Sequence, residues 1–340
     1  MSSFEITPDD ETWSTWLARA GVDDVYYSAA YARIWAREEH GTFVGVRYES
    51  PSGRVFYPLL LVPLDSLPGG SGLFEARTPY DFGGPWGVGS DLPTLHREFR
   101  DALIDWLRSR DVVSEFARIH PLRKGGQPAD ARVHAENYSV DLTLPYDEMF
   151  GSQHRRHRRA VRSFHRRNHE AQWISNISAE DASVFTELYH LTMNRVAAST
   201  DYRFTAQTLA AVMSLDETCL VRATGGAGVL GAALFLRSGK DLFYYLGASA
   251  GDRPAGTNNA VFDAAIHHAQ SQGLRTLHLG GGGESLRDFK SQIATGTVPY
   301  SVVQRIIDEP RYAALCETLG VSDSTYFPAF RAKLVERRQK

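Results

Sequence analysis

At 340 residues the chain is longer than one hydrophobic core usually organises, so two domains are expected. A content of 43% hydrophobic and 11% aromatic residues supplies full cores, and with 23% charged residues it excludes an intrinsically disordered chain. The formal net charge of −3 excludes a protein that is basic throughout, and the two cysteines, Cys219 and Cys316, lie far apart without metal-ligand spacing, so buried reduced thiols are their expected state.

The acidic start, MSSFEITPDDETW, shows no apolar signal region. No apolar run approaches the roughly 18 residues that cross a bilayer, and the best candidate, Phe56 to Leu64, is interrupted by Pro58 and Pro63. A cytoplasmic protein without a transmembrane segment is the expectation. In the first half, Tyr31, Ile34 and Trp35 recur at helical spacing within SAAYARIWAREEH. GTFVGVRYE and GRVFYPLLLVPL flank the turn cluster ESPSG and predict a β-hairpin. After the Gly/Pro-rich TPYDFGGPWG, the residues Leu95, Phe99, Ala102, Leu103 and Trp106 form the stripe of a helix over 95–108, and VVSEFARIHP reads as a strand.

The second half repeats that order. A helix around Phe185, Leu188, Tyr189 and Val196 precedes the strands CLVRAT, GVLGAALFLRS and DLFYYLGAS. A helix with Val261, Phe262, Ala265, Ile266 and Ala269 on one face then leads into the strand LRTLHLGG. Repetition in a fixed order predicts two α/β domains, each a mixed sheet flanked by helices, over residues 1–148 and 149–304. The tail, a strand-like SVVQRIID and a helix over RYAALCETLG, is expected to pack back on the first domain as residues 305–340.

Charge is concentrated in one place. Residues 153–169 hold seven arginines, four histidines and no acid, so with a net charge of −3 the rest of the chain carries −10. Arg155, Arg158, Arg159, Arg162 and Arg166 fall at three- and four-residue separations on a helix, which puts several on one face as a local anion-binding surface. Arginine forks suit phosphate oxygens. His154 and His157 lie one turn apart, but neighbouring arginines repel a cation and no metal is expected there. The sequence shows no interleaved aromatic platform for stacked bases around this helix.

Several segments in order, TPYDFGGPWG, HRRHRRAVRSFHRR, FYYLGAS, NNAVFDAAIHHAQSQG and LHLGGGGESLRDFKSQIA, together resemble the FemABX-like branch of the GNAT acyltransferase superfamily. They span roughly residues 75–300. Members of that branch include aminoacyl-tRNA-dependent peptidyltransferases, so the resemblance implies two tandem GNAT-like domains, an aminoacyl-tRNA as co-substrate, and a small peptide or peptidyl-nucleotide acceptor in cell-wall or peptide-antibiotic biosynthesis. The peptidoglycan members carry an acid shortly after their Gly-Pro step. Here Gly84-Pro85 is followed by Trp86-Gly87-Val88, and no base is carried over.

Aminoacyl transfer from an ester to an amine needs positive charge where the oxyanion develops more than it needs a strong base. Lys290, one of five lysines, follows a strand and a Gly-rich turn and matches the lysine of the family's Phe-Lys motif, with Phe289 before it. It is the expected catalytic residue; from residue type alone it would be an exposed helix lysine. Arg155, Arg156, Arg158, Arg159 and Arg162 are expected to engage donor or acceptor phosphates. Tyr80 and Asp81, in a turn-rich loop, are candidate acceptor contacts. Tyr244 and Tyr245 alternate along a strand, so one faces the core and the other a cleft or solvent, and Tyr245 is taken as the site residue.

Two other readings compete. Arg253 to Asn258 (RPAGTN) resembles the superfamily's pyrophosphate loop leading into a helix N-terminus, which favours an acyl-CoA-dependent N-acyltransferase with acetyl-CoA as donor. Asn258 stands where that loop wants glycine or alanine. The arginine helix alone suits a non-enzymatic RNA-binding protein. The run at 280–283 lacks the GK[ST] ending of a phosphate loop and reads as a tight strand-to-helix turn.

Overall fold

The hairpin expected around Pro51-Ser52 forms with a two-residue connection, Ser50 facing Gly53, in the computed structural model, which describes residues 2–123, 127–226, 228–321 and 324–332. The chain divides into two units, residues 1–134 with 300–340, and residues 135–299. Elements of the first part are β1 (Ser3–Thr7), α1 (Asp10–Arg19), α2 (Ala29–Glu38), β2 (Thr42–Ser50), β3 (Gly53–Pro63), β4 (Phe74–Arg77), β5 (Trp86–Gly89), α3 (Leu92–Arg108) and β6 (Val112–Arg118). There follow β7 (Arg132–Asp141), α4 (Tyr146–Ser152), α5 (Arg155–His165), β8 (Glu170–Ile174), α6 (Ala179–Arg195), α7 (Ala206–Met213), β9 (Thr218–Gly225), β10 (Gly228–Ser238), β11 (Asp241–Ser249), α8 (Thr257–Ser271), β12 (Thr276–Gly280) and α9 (Glu284–Ser291). After these come β13 (Gly296–Ile306) and α10 (Glu309–Thr318).

In the first unit the strands run in the order β1-β2-β3-β4-β6-β13, with β5 also on β3. Only the β4–β6 pair among these is parallel, because α3 carries the chain across between them. Strand alternation buries both faces. Val44, Val46 and Tyr57 meet Leu95, Phe99 and Leu103 of α3, while Phe43 and Phe56 meet the Trp13 ring of α1 on the other side.

The second unit repeats the plan. Its order is β7-β12-β11-β10-β9-β8, with β11 and β12 parallel across α8. One face is covered by α8, whose Val261, Phe262, Ala265, Ile266 and Ala269 join Phe235, Leu242 and Leu277 in the core. The other face carries α6 on β11 and α7 on β9. Both units are therefore mixed sheets flanked by helices.

The units part at 134/135 rather than 148/149, because β7 pairs antiparallel with β12. They part again at 299/300 rather than 304/305, because β13 lays Val302 to Ile306 against β6. Each sheet thus receives its last strand from a segment distant in sequence. The tail belongs to the first unit, where Tyr312 and Leu315 pack with Leu64 and Val113. Both cysteines are half-buried rather than fully buried. No helix among the described residues is long and apolar enough to cross a membrane.

Candidate functional site

The turn from β12 into α9 is built by backbone that only glycine adopts readily: Gly280 and Gly282 have φ of 70° and 124°. It returns the chain so that Lys290, one residue before the end of α9, points back under the turn. Its side chain is 3% exposed, contrary to what residue type alone predicts. The Lys290 Nζ donates to the Gly281 carbonyl at 2.6 Å and lies 4.9 Å from the centre of the Tyr244 ring. Burial pushes the Tyr244 hydroxyl up to about 12, so at neutral pH the ring beside the ammonium is an uncharged phenol. Phe289 packs on the core, its ring 5.8 Å from Phe262, which in turn lies 4.8 Å from Tyr244. Asn137 of β7 reaches the same turn. A Cβ on Gly281 would lie 2.7 Å from the Asn137 Oδ1, a buried atom without a hydrogen-bond partner among the described residues.

Tyr244, rather than Tyr245, stands against Lys290. Pairing of β10 with β11 shifts register between Leu234, opposite Leu246, and Phe235, opposite Tyr244. Tyr245 is the extra residue of that bulge and is buried. The bulge breaks the two-residue alternation, so it is the Tyr244 ring that lies beside the Lys290 ammonium.

The basic helix α5 is seated by His157, Val161 and Phe164, its buried residues at i, i+4 and i+7. Arg155, Arg156, Arg159 and Arg162 are exposed, and Arg158 is half-buried with an Nε that lacks a partner among the described residues. Among the described residues of the second unit the ion pair joins Arg222 to Asp181, and none of the α5 arginines takes part in one. His154 and His157 do not act together. The first caps α5, accepting from the Arg156 amide, and the second is bonded to Asn259 at 2.9 Å and pushed down to about 4 by burial. The start of α5 is fastened to the end of α9: the His154 amide donates to the Gln292 carbonyl at 3.0 Å, and the Gln153 side chain donates to that of Ile293 at 2.8 Å. Arg155 and Arg156 therefore begin beside the helix that carries Lys290.

Further along, α5 lies against the start of α8. Gly256 caps α8 with φ 97°, and a Cβ there would sit 2.6 Å from the Ala160 carbonyl oxygen of α5. Asn258, in the first turn of α8, is half-buried. Arg253 donates to the Ala250 carbonyl, and burial, then the nearby Arg195, hold its pKa below the ordinary arginine value. Arg195 itself donates to the Ser249 carbonyl.

Tyr80 and Asp81 belong to the first unit, in a loop fastened by three tyrosines. Tyr31 donates to the Tyr80 carbonyl at 2.7 Å, Tyr26 to the Asp81 carboxylate at 2.9 Å, and Tyr27 to the carbonyls of Gly83 and Gly84. The Tyr80 ring stacks on Trp35 at 4.5 Å. Asp81 holds φ 67°, an uncommon conformation for a side-chain-bearing residue, maintained by these bonds.

The absence of an aromatic platform beside the basic helix does not hold in the fold. Tyr146 and Phe150 of α4, Trp173 of β8, and His267 and His268 of α8 gather along the second half of α5. Their positions in sequence are scattered, so no local pattern announces them.

The family model described as acetyltransferase (GNAT) domain matches residues 151–291. No curated protein matches the sequence. Among solved structures, FemX is similar with a TM-score of 0.67 at 13% identity, over 91% of this chain and 99% of that one. L-PGS from Bacillus licheniformis is similar with a TM-score of 0.57 at 13% identity, over 93% of this chain and 98% of that one. At such identities the likeness is one of fold. The chain is an α/β protein of two mixed-sheet units, the second matching the GNAT domain model over residues 151–291, and its fold is similar to that of FemX.

Proposed function

We propose that the protein is an acyltransferase that moves an aminoacyl group from a tRNA ester to an amino group, forming a peptide bond on a small peptide or peptidyl-nucleotide acceptor. One juxtaposition carries this reading: a buried ammonium at the 280–283 turn, on a helix whose end fastens an arginine helix that forms no ion pair among the described residues. The acceptor nitrogen attacks the ester carbonyl carbon, the C–N bond forms, and the Lys290 ammonium stabilises the oxyanion. As the C–O ester bond breaks, the proton lost by nitrogen passes to the departing sugar oxygen. The ester is already activated, so preorganised charge supplies the larger share of catalysis. Arg155, Arg156, Arg158, Arg159 and Arg162 engage phosphates of the donor. Tyr80 and Asp81 contact the acceptor, and Tyr244 takes the place first given to Tyr245.

A second reading, transfer from acyl-CoA, is favoured by the family model's extent over residues 253–258 and by the neighbouring cations Arg195 and Arg253. Against it, the Ala160 backbone lies against Gly256, where a pyrophosphate would approach the start of α8. Binding of charged tRNA, uncharged tRNA and acetyl-CoA, measured across a salt series with Lys290→Ala alongside, separates the two. The expected result is tight, salt-sensitive tRNA binding that Lys290→Ala retains, with no affinity for acetyl-CoA. Binding of acetyl-CoA without tRNA overturns the first reading in favour of the second.

A further inference from the structure

The second half of α5 borders an open groove of about 910 Å³ in which the preceding chemistry uses Arg162 alone. Two ring stacks line it. Trp173 lies on His268 with centroids 4.2 Å apart and planes 18° from parallel. Tyr146 lies on Phe150 at 5.4 Å and 15°, with His267 at 3.8 Å on the same tyrosine. Tyr146, Phe150 and Trp173 rest one side on the core yet stay only partly buried, and α8, which turns Val261, Phe262, Ala265 and Ile266 inward, leaves His267 and His268 on its flank beside them.

The lining is cationic as well as aromatic. Arg162 sits 5.7 Å from the Phe150 ring centre, and Arg166 is exposed, neither holding an ion pair among the described residues. The acid in the groove, Asp263, is buried, accepts from the Tyr146 hydroxyl at 2.7 Å, and is pushed toward its neutral form by burial. An acyl chain would find arginines and a carboxyl in its path. A bare anion would leave the rings unused. A planar base with its phosphate satisfies both sets of groups, because every base offers a π-face and arginine offers a fork to phosphate.

We propose that this groove binds a single-stranded nucleotide segment, stacking a base on the Trp173–His268 pair and holding its phosphate on Arg162 and Arg166. Its eleven residues make α5 about 16 Å long, so the same helix leads a strand from the groove to Arg155 and Arg156 beside α9. That this strand is the end of the donor RNA rests on the function proposed above; the stacking does not.

The test is a fluorescence titration of the full chain with an RNA hairpin bearing a short single-stranded 3′ overhang, the same hairpin made blunt, and the mononucleotides AMP and CMP. Trp173→Ala, Trp173→Phe and Arg166→Ala are compared with the parent. Trp173→Ala is expected to weaken the overhang hairpin about tenfold, the usual scale for losing one stacked base, and to leave the blunt hairpin unchanged. Trp173→Phe, which keeps a ring, should recover most of that loss. Arg166→Ala should reduce the slope of log affinity against log salt by about 0.7. Equal affinity for overhang and blunt hairpins, equal losses on both, or no binding of any probe overturns the proposal. If charged tRNA serves as donor while Trp173→Ala changes nothing, the groove falls and the donor reading stands. If mononucleotides bind in a Trp173-dependent way while tRNA does not bind, the groove stands and the donor reading falls.

Discussion

Replacing Gly256 by alanine adds one methyl group where α8 begins, and its cost follows from two separate terms. The first is conformational: Gly256 has φ 97°, and an L-residue in the left-handed region costs roughly 1–2 kcal/mol. The second is steric. The new Cβ would lie 2.6 Å from the Ala160 carbonyl oxygen and 3.1 Å from its carbon, backbone atoms that yield only if α5 shifts. Overpacking of that kind costs about 1–3 kcal/mol, for a total of roughly 2–5 kcal/mol. Gly273→Ala isolates the first term, because Gly273 has φ 69° and nothing lies within 4 Å of its Cβ position. For a unit spanning residues 135–299, each kcal/mol lowers Tm by roughly 2–4 °C. Thermal unfolding by circular dichroism should therefore place Gly256→Ala several degrees below Gly273→Ala. Hydrogen exchange should quicken across 155–165 in Gly256→Ala alone. Equal Tm shifts, with α5 protected in both, would refute the seating of the arginine helix on the start of α8.

Lys290→Met keeps the side-chain volume and removes the charge. Because burying an ammonium offsets much of what its contacts return, stability should change by no more than about 1 kcal/mol, while transfer falls roughly 10²–10³-fold with tRNA affinity retained; lost affinity in a filter-binding assay would contradict an oxyanion role. His120 and His157 are held neutral by burial, each pushed down to about 4. The unfolded chain takes up these protons first, so their contribution is complete above about pH 6.5 and is lost as pH falls toward 4, at up to ~1.4 kcal/mol per unit for each. Urea midpoints between pH 7.5 and 5 should fall, and His157→Leu should flatten the fall; an unchanged slope would remove His157 from this account. In the first unit Arg305 pairs at 2.6 Å with Glu115, a fully buried carboxylate that also accepts from Tyr57. Arg305→Met should cost about 3–5 kcal/mol in urea unfolding, and adding Glu115→Gln should restore part of it; a loss below about 1 kcal/mol would show that Glu115 finds other compensation.

Local periodicity was enough to read the β2–β3 hairpin, α3, α8 and the basic helix, because their patterns record which face meets a core a few residues away. It missed α1, β7 and β8. Trp13 and Leu17 are the buried residues of α1, too few to stand out as a stripe. The β7 sequence RVHAENYSVD and the β8 sequence EAQWI are mixed in polarity, and their strand character comes from partners at 276–280 and 220–224.

The arginine cluster, the Gly-rich turn before Phe289-Lys290 and the repetition of one α/β order in two halves are properties of the sequence by itself, since composition and short-range spacing already contain them. The depth of Lys290, the bulge that sets Tyr244 beside it, the pairing of β7 with β12 and of β13 with β6, and the meeting of Tyr146, Trp173 and His268 beside α5 were decided by tertiary structure. Each depends on contacts between residues far apart in the chain, and burial, register and convergence of that kind arise only when the sheet and its helices have packed.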